Sequence, residues 1–186
     1  MNDIQILQEM LAPAAQVILQ PGPGRPSAQL TDLQSGTTVE IKGLPHNSIV
    51  IRAEDFENPL TIFNGSKGER KRADFVIVSN DESDRKWVIC VETQGGNKAK
   101  GEVTAQLKGA ACFIGYCKCI GKSFWRSHGF LDGYQYRFVS IAGLNMKKIG
   151  IKPIQSEKGP HDHPENFRRI LRHPIIHFHR LIHPIS

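Results

Sequence analysis

The 186-residue chain predicts an α/β fold, a short mixed sheet flanked by helices, and three observations carry that expectation. Two Val/Ile-rich runs, residues 73–79 (ADFVIVS) and 87–94 (WVICVETQ), follow each other across a polar turn. Both are almost continuously apolar, which predicts strands buried on two faces at the centre of a sheet. Directly after them the apolar period changes to three and four residues, the signature of an amphipathic helix.

Taken in order, residues 3–20 predict a helix, with Ile4, Leu7, Leu11, Ala14, Ala15 and Ile18 near one face and Pro13 marking a kink or a break into two pieces. The stretch from Pro21 to Ser27, rich in Pro and Gly, ends it as a loop. Residues 37–42 and 48–53 predict strands, joined across Gly43-Leu-Pro-His-Asn by a hairpin connection. A polar, basic loop at 64–72 leads into the first apolar run, and residues 80–86 turn the chain into the second. Val103, Leu107, Ala110, Ile114 and Cys117 set a helix over about residues 99–118. Residues 134–142 (YQYRFVSIA) predict another strand. The tail from Met146 reads as irregular, with Pro153, Gly159 and Pro160, a short helix at 165–172, and a half-buried strand at 175–182 (IIHFHRLI) in which His alternates with apolar residues.

Composition narrows the functional classes. No apolar run approaches the ~20 residues of a membrane helix. The first 20 residues carry Asp3 and Glu9 and no basic n-region, so a secretory leader is not expected and a cytoplasmic protein is the default. Cys90, Cys112, Cys117 and Cys119 lack the paired CxxC spacing of a zinc ribbon and are expected to be buried or incidental thiols. The net charge of +6 and a pI near 9.3 favour an anionic partner, because Lys and Arg near phosphates release counterions.

The chemistry is concentrated on the two apolar runs. Side chains alternate along a strand, so Asp74 shares a face with Val76 and Val78, and Glu92 and Gln94 share one with Val88 and Cys90. An antiparallel pairing brings the start of the first strand beside the end of the second, so two carboxylates meet at one edge of an apolar sheet. Such a pair repels unless a cation neutralises it. Mg²⁺ is held by one or two carboxylates together with water and substrate phosphate, and a bound ion of this kind activates water for phosphodiester hydrolysis. Gln94, on the face of Glu92, is placed to orient that water.

An Asp opening one strand, a short turn, an apolar strand ending in Glu-x-Lys, and an amphipathic helix resembles the PD-(D/E)xK nuclease superfamily over residues 72–119. The resemblance implies a restriction-endonuclease-like αβββαβ core, with Asp74 and Glu92 as ligands of Mg²⁺ or Mn²⁺ joined by the backbone carbonyl of Thr93. It also implies an endonuclease acting on DNA, with restriction or antiphage defence as a role common in the family. The family lysine is here Gln94, which carries no positive charge, and Lys98 or Lys100 is the candidate replacement. Gln106, on the border of the helix stripe, either steadies the site, as helix glutamines do in several members, or hydrogen-bonds to backbone. Glu40, Glu54 and Glu57 are candidates for a further acidic ligand.

Residues 1–150 then form the nuclease-like domain, and residues 151–186 a His/Pro-rich extension packed on it or on a partner. Lys67, Arg70, Lys71 and Arg72, just before Asp74, either contact phosphates or form a solvated loop. Trp125, Arg126 and His128 either stack on bases or cap the core. Of the tail histidines, His161, His163, His173, His177, His179 and His183, an HxH pair alone is weak support for zinc, which needs three or four converging ligands. Cleaving both strands of a duplex calls for two copies of one site, so a homodimer or an activating protein partner is expected. The alternative class is a catalytically silent nuclease fold that binds nucleic acid or protein. A zinc-binding protein organised by the tail is the third.

Overall fold

A computed structural model of the chain describes residues 1–33, 35–56, 62–94, 96, 98–143, 159–171 and 173–183. Among these, strands form one six-stranded and one three-stranded sheet, both mixed, and the fold is α/β.

The first helix, α1 (Asp3–Met10), starts at a capping box in which Asn2 and Gln5 bond each other's backbone N–H groups, and it buries Ile4, Ile6 and Leu7. The single helix expected over residues 3–20 is therefore corrected. Pro13 breaks it: Pro13–Ala15 is a short 3₁₀ turn, and the chain continues as β1 (Gln16–Val17). Next comes β2 (Ser27–Asp32), unanticipated in the sequence because only Ala28 and Leu30 interrupt its polar residues. It pairs antiparallel with β3 (Thr37–Lys42).

The hairpin expected between β3 and β4 (Asn47–Arg52) does not form. β4 pairs with β1 and with β5 (Phe75–Asn80), while β3 joins the smaller sheet. Burial supplies the reason. Ser48, Ile49, Val50 and Ile51 of β4 are buried in succession, as a strand inside a two-sided sheet requires, whereas β3 hides only alternate residues, Thr37, Val39 and Ile41. Gly43, at φ +73°, turns the chain between the two sheets.

The two central strands stand as expected. β5 runs antiparallel to β6 (Lys86–Gln94), with Phe75 opposite Val91 and Asn80 opposite Lys86. The long helix α2 (Lys100–Phe124) leads to β7 (Gln135–Ala142), which lies parallel to β6. The order across the large sheet is β1-β4-β5-β6-β7, and β8 (Arg168–Leu171) closes it. That strand corrects the helix expected at 165–172: Pro164–Asn166 is one 3₁₀ turn, after which the chain extends parallel to β7. The strand expected over 175–182 is shortened to β9 (Ile175–His177), parallel to β3, and the chain then coils into α3 (His179–Ile182). Residues 144–158, including Met146 and Pro153, lie outside the described residues, as do Glu57 and Arg172.

Two cores result. On one face of the large sheet, Val76, Val78, Val88 and Cys90 pack under α1 and under Val103, Leu107, Ala110 and Ile114 of α2. On the other, Phe75, Ile77, Ile89, Val91 and Ile141 pack against Leu30, Val39 and Ile41 of the small sheet and against Leu181 and Ile182 of α3. The layers are thus helix, sheet, sheet, and the second face is covered chiefly by strands where flanking helices were expected. No helix among the described residues is long and apolar enough to cross a membrane.

Candidate active site

The register of the central strands creates the site. Phe75 lies opposite Val91, so the next residue out, Asp74, stands level with Glu92. Asp74 is 7% exposed and Glu92 is fully buried. Asp74 is anchored rather than loose: its Oδ2 accepts the backbone N–H of Thr93 at 2.7 Å and the Thr93 hydroxyl at 2.6 Å. The end of β5 thereby reaches across to β6 through a side chain.

A cation meets the carboxylates from the loop after β6. The Lys98 ammonium lies 2.7 Å from Glu92 Oε1. Its position is fixed by Gln94, whose Oε1 accepts the Lys98 backbone N–H at 2.7 Å and whose Nε2 donates to Ser140 Oγ at 2.6 Å. Ser140 is level with Glu92 on β7. Arg169 on β8 donates to the Lys98 carbonyl at 3.4 Å. The amide of Gln94, expected to orient water, is thus committed at both ends to holding Lys98 against the sheet.

Electrostatics follow from burial and crowding. Burial, with the charge of Asp74, pushes Glu92 up to about 8 against the pull of Lys98. Burial also raises Asp74, opposed by the two Thr93 hydrogen bonds. Burial of Lys98 works to lower it, but the hydrogen bond and charge of Glu92, together with Asp74 and Glu102, leave it raised. A third carboxylate belongs here. Glu54 follows β4 and is pushed up to about 7 by burial and by Asp74, Asp32 and Asp55. Of the upstream acids considered from sequence, Glu54 is the one beside Asp74: its backbone N–H points at the Asp74 carbonyl at 3.4 Å and its carboxyl feels the Asp74 charge. Glu40 lies on β3 near Lys42, and Glu57 is outside the described residues. Asp32, at the end of β2, adds its charge to both Glu54 and Asp74.

Two buried oxygens in this region have no hydrogen-bond partner, Glu92 Oε2 and Glu54 Oε1. Among the described residues no three His, Cys, Asp or Glu side chains are arranged to hold a metal ion. A hard divalent ion does not require three: carboxylate oxygens, a backbone carbonyl and water suffice. The Thr93 carbonyl leaves its strand on the side of the N–H that reaches Asp74. Orphaned carboxylate oxygens, and carboxyls pushed up first by burial and then by neighbouring negative charge, are what such an ion relieves, so the residues present fit one.

The other candidates are more scattered. Lys100, the first residue of α2, is exposed. Gln106 is partly buried, with Oε1 unpartnered, and no hydrogen bond joins it to the carboxylates among the described residues. In the basic loop, Arg72 turns inward to the carbonyls of Glu69 and Lys71 and lies over the Phe56 ring at 5.2 Å. Lys71 is 3.5 Å from Glu102, Arg70 lies against Gly65, and Lys67 is exposed. Trp125 caps the core and donates to Glu9 at 3.0 Å. His177 and His179 stack with ring centroids 5.7 Å apart, while His161 is buried and donates to the Leu181 carbonyl. Cys90 and Cys117 are buried free thiols, and Cys112 and Cys119 are exposed ones.

Sequence reasoning missed Asp32, Ser140 and Arg169. Ser140 was recoverable once β7 is laid parallel beside β6. Asp32 and Arg169 sit on β2 and β8, which local pattern did not reveal. Fold and site together define an α/β protein with buried carboxylates and one ammonium at an end of its central sheet. No family model, curated protein or solved structure matches the chain.

Proposed function

We propose that the chain is a divalent-metal-dependent endonuclease of the PD-(D/E)xK type, hydrolysing phosphodiester bonds of DNA. The observation that carries this reading is the meeting of Asp74, Glu92 and Lys98 at the end of the β5–β6 pair, with Lys98 2.7 Å from Glu92. With β1, β2 and β3 taken as an insertion after α1, the remaining elements α1, β4, β5, β6, α2 and β7 follow the αβββαβ order that the sequence resemblance implies, which is consistent with the same reading.

Asp74, Glu92 and the Thr93 carbonyl would hold Mg²⁺ or Mn²⁺, with Glu54 and Asp32 as further carboxylates beside Asp74. When bound, the ion supplies charge neutralisation and a more acidic water. The chain's own residues do the positioning. Thr93 fixes Asp74 through two hydrogen bonds, so the carboxylate is oriented before any ligand arrives. Lys98 takes the place of the family lysine: it starts four residues after Gln94, yet Gln94 and Ser140 bring its ammonium to Glu92. An ammonium there offsets charge on the phosphate in the transition state. Gln94 serves as a positioning residue for Lys98.

A silent fold that only binds nucleic acid or protein is the second reading, favoured by one feature: the Gln94 amide is consumed by Ser140 and Lys98 and offers nothing to substrate. Cleavage of supercoiled plasmid and single-stranded DNA in Mg²⁺ or Mn²⁺ separates the two. Wild type should cleave, and Glu92→Ala and Lys98→Ala should each lose at least ~100-fold. Binding without cleavage by wild type would select the silent fold, and equal cleavage by Glu92→Ala would remove the site.

A further inference from the structure

The helix side of the molecule carries a groove that the carboxylate site does not use. It lies between α2 and residues 62–72, has a volume near 690 Å³, and is walled by the aromatic rings of Phe56, Phe63, Phe113 and Tyr116. Phe56 forms the floor, with ring centroids 5.2 Å from Phe113 and 5.8 Å from Tyr116. Phe63 is 48% exposed and Tyr116 55%, so two ring faces are left to a ligand.

Cations rim these rings. Lys67, Arg72 and Lys108 line the groove, and Lys71 follows in the same loop. Arg72 stacks on Phe56, and Lys108 reaches Glu165 at 2.6 Å across an exposed pair that solvent weakens. The acid in the wall, Glu69, spends its carboxylate on the N–H groups of Gly65 and Lys67 at 2.7 and 2.8 Å, tying the loop together. Rings interleaved with cations suit a ligand that alternates flat π-faces with negative charges.

We propose that this groove is a stacking platform for single-stranded nucleic acid, whose unpaired bases lie against Phe63 and Tyr116 while its phosphates meet Lys67 and Lys108. A paired duplex hides its base faces and cannot use those rings, so the groove selects single strands, overhangs or unpaired junctions. The inference rests on the nuclease reading for its consequence, because the loop that forms one wall runs from Arg72 into Asp74 and delivers a bound strand toward the carboxylates. The binding itself stands without cleavage.

The test is fluorescence anisotropy in EDTA, where no cleavage occurs, using labelled oligothymidylate and a blunt hairpin duplex of equal charge whose loop is a non-nucleotide linker. The Phe63→Ala, Tyr116→Ala double variant should bind oligothymidylate roughly tenfold or more weakly and the hairpin within about twofold of wild type. Tyr116→Phe, which keeps the ring, should retain oligothymidylate binding. Lys67→Glu should weaken both ligands, with a shallower salt dependence. Should the double variant fold poorly, Phe63→Ala alone carries the comparison. Equal losses on both ligands, no loss on either, or no binding of oligothymidylate by wild type would overturn the proposal, the last leaving the groove to a protein partner. Cleavage assays with metal report separately: ring-dependent binding without cleavage would sink the nuclease reading alone, and metal-dependent cleavage with ring-independent binding the platform alone.

Discussion

Glu92 has no solvent exposure and one unpartnered oxygen, and that burial makes its protonation a stability term. A carboxyl raised from the ordinary 4.5 to about 8 binds more protons in the folded chain than in the unfolded one between those values. Its contribution is therefore complete below about pH 4.5 and is lost as pH rises through 8. Glu54, raised to about 7, acts in the same direction. His161, lowered chiefly by burial, acts oppositely, costing stability as pH falls below 6.5. In metal-free buffer the melting temperature of wild type should thus decline from pH 6.5 to 8, and Glu92→Gln, which keeps an acceptor for Lys98, should flatten the decline. Parallel profiles for the two proteins would mean that Glu92 does not titrate in this window. At this scale the sequence was legible where spacing alone decides, as for Asp74 and Glu92, whose meeting needs only strand alternation and an antiparallel turn. Lys98 was legible as one of two candidate cations. The task of Gln94 was not, because its partner Ser140 comes from 46 residues further along the chain.

Helix α2 and the 64–72 loop fit together through a missing side chain. A Cβ built on Gly109 would stand 1.7 Å from the Lys71 carbonyl oxygen, a backbone atom that cannot swing away. Gly109→Ala should push the loop off the helix at about 1–3 kcal/mol, and because that loop leads into Asp74, cleavage should fall beyond what lost stability explains. Gly115→Ala is the control in the same helix: beyond the backbone of its own helical turns its added methyl meets no atom within 4 Å, and it should stabilise by about 0.5–1 kcal/mol. Thermal melts and plasmid cleavage read both, and identical behaviour of the two variants would remove the seat from the argument. Elements were legible in sequence where apolar residues run unbroken, as in β5, β6, β7 and the start of α2. They were illegible where a strand is half polar, as in β2, or where charge and apolar spacing mimic a helix, as in β8. Partner choice was illegible altogether for β3 and β4: which sheet each joins is decided by how many of its faces are covered, a property of the assembled layers.

The whole molecule closes on its own C-terminal residues, since 159–171 and 173–183 supply β8 to the large sheet and β9 to the small one. The join is both apolar and polar. Ile176, Phe178, Leu181 and Ile182 share a core with Ile77, Ile89 and Val139 of the central strands. Carbonyls around α3 accept from Arg137, through Ile182 at 2.9 Å, and from Arg168, through Arg180 and His183. His161 adds a buried bond to Leu181, and its own carbonyl accepts the Phe138 N–H. A segment joined this way unfolds with the body rather than before it. Ile176→Ala should lower stability by about 2–5 kcal/mol, the usual loss for such a cavity. In a Trp125→Phe background, which leaves Trp87 as the single tryptophan, the loss should appear in one transition seen alike by Trp87 fluorescence, which reports the large sheet, and by far-ultraviolet dichroism. A Trp87 transition left at the wild-type midpoint, with an earlier dichroic change, would make the C-terminal residues a separate cooperative unit. Arg169 would then hold Lys98 only while that unit stays docked, and cleavage should fail at the earlier transition.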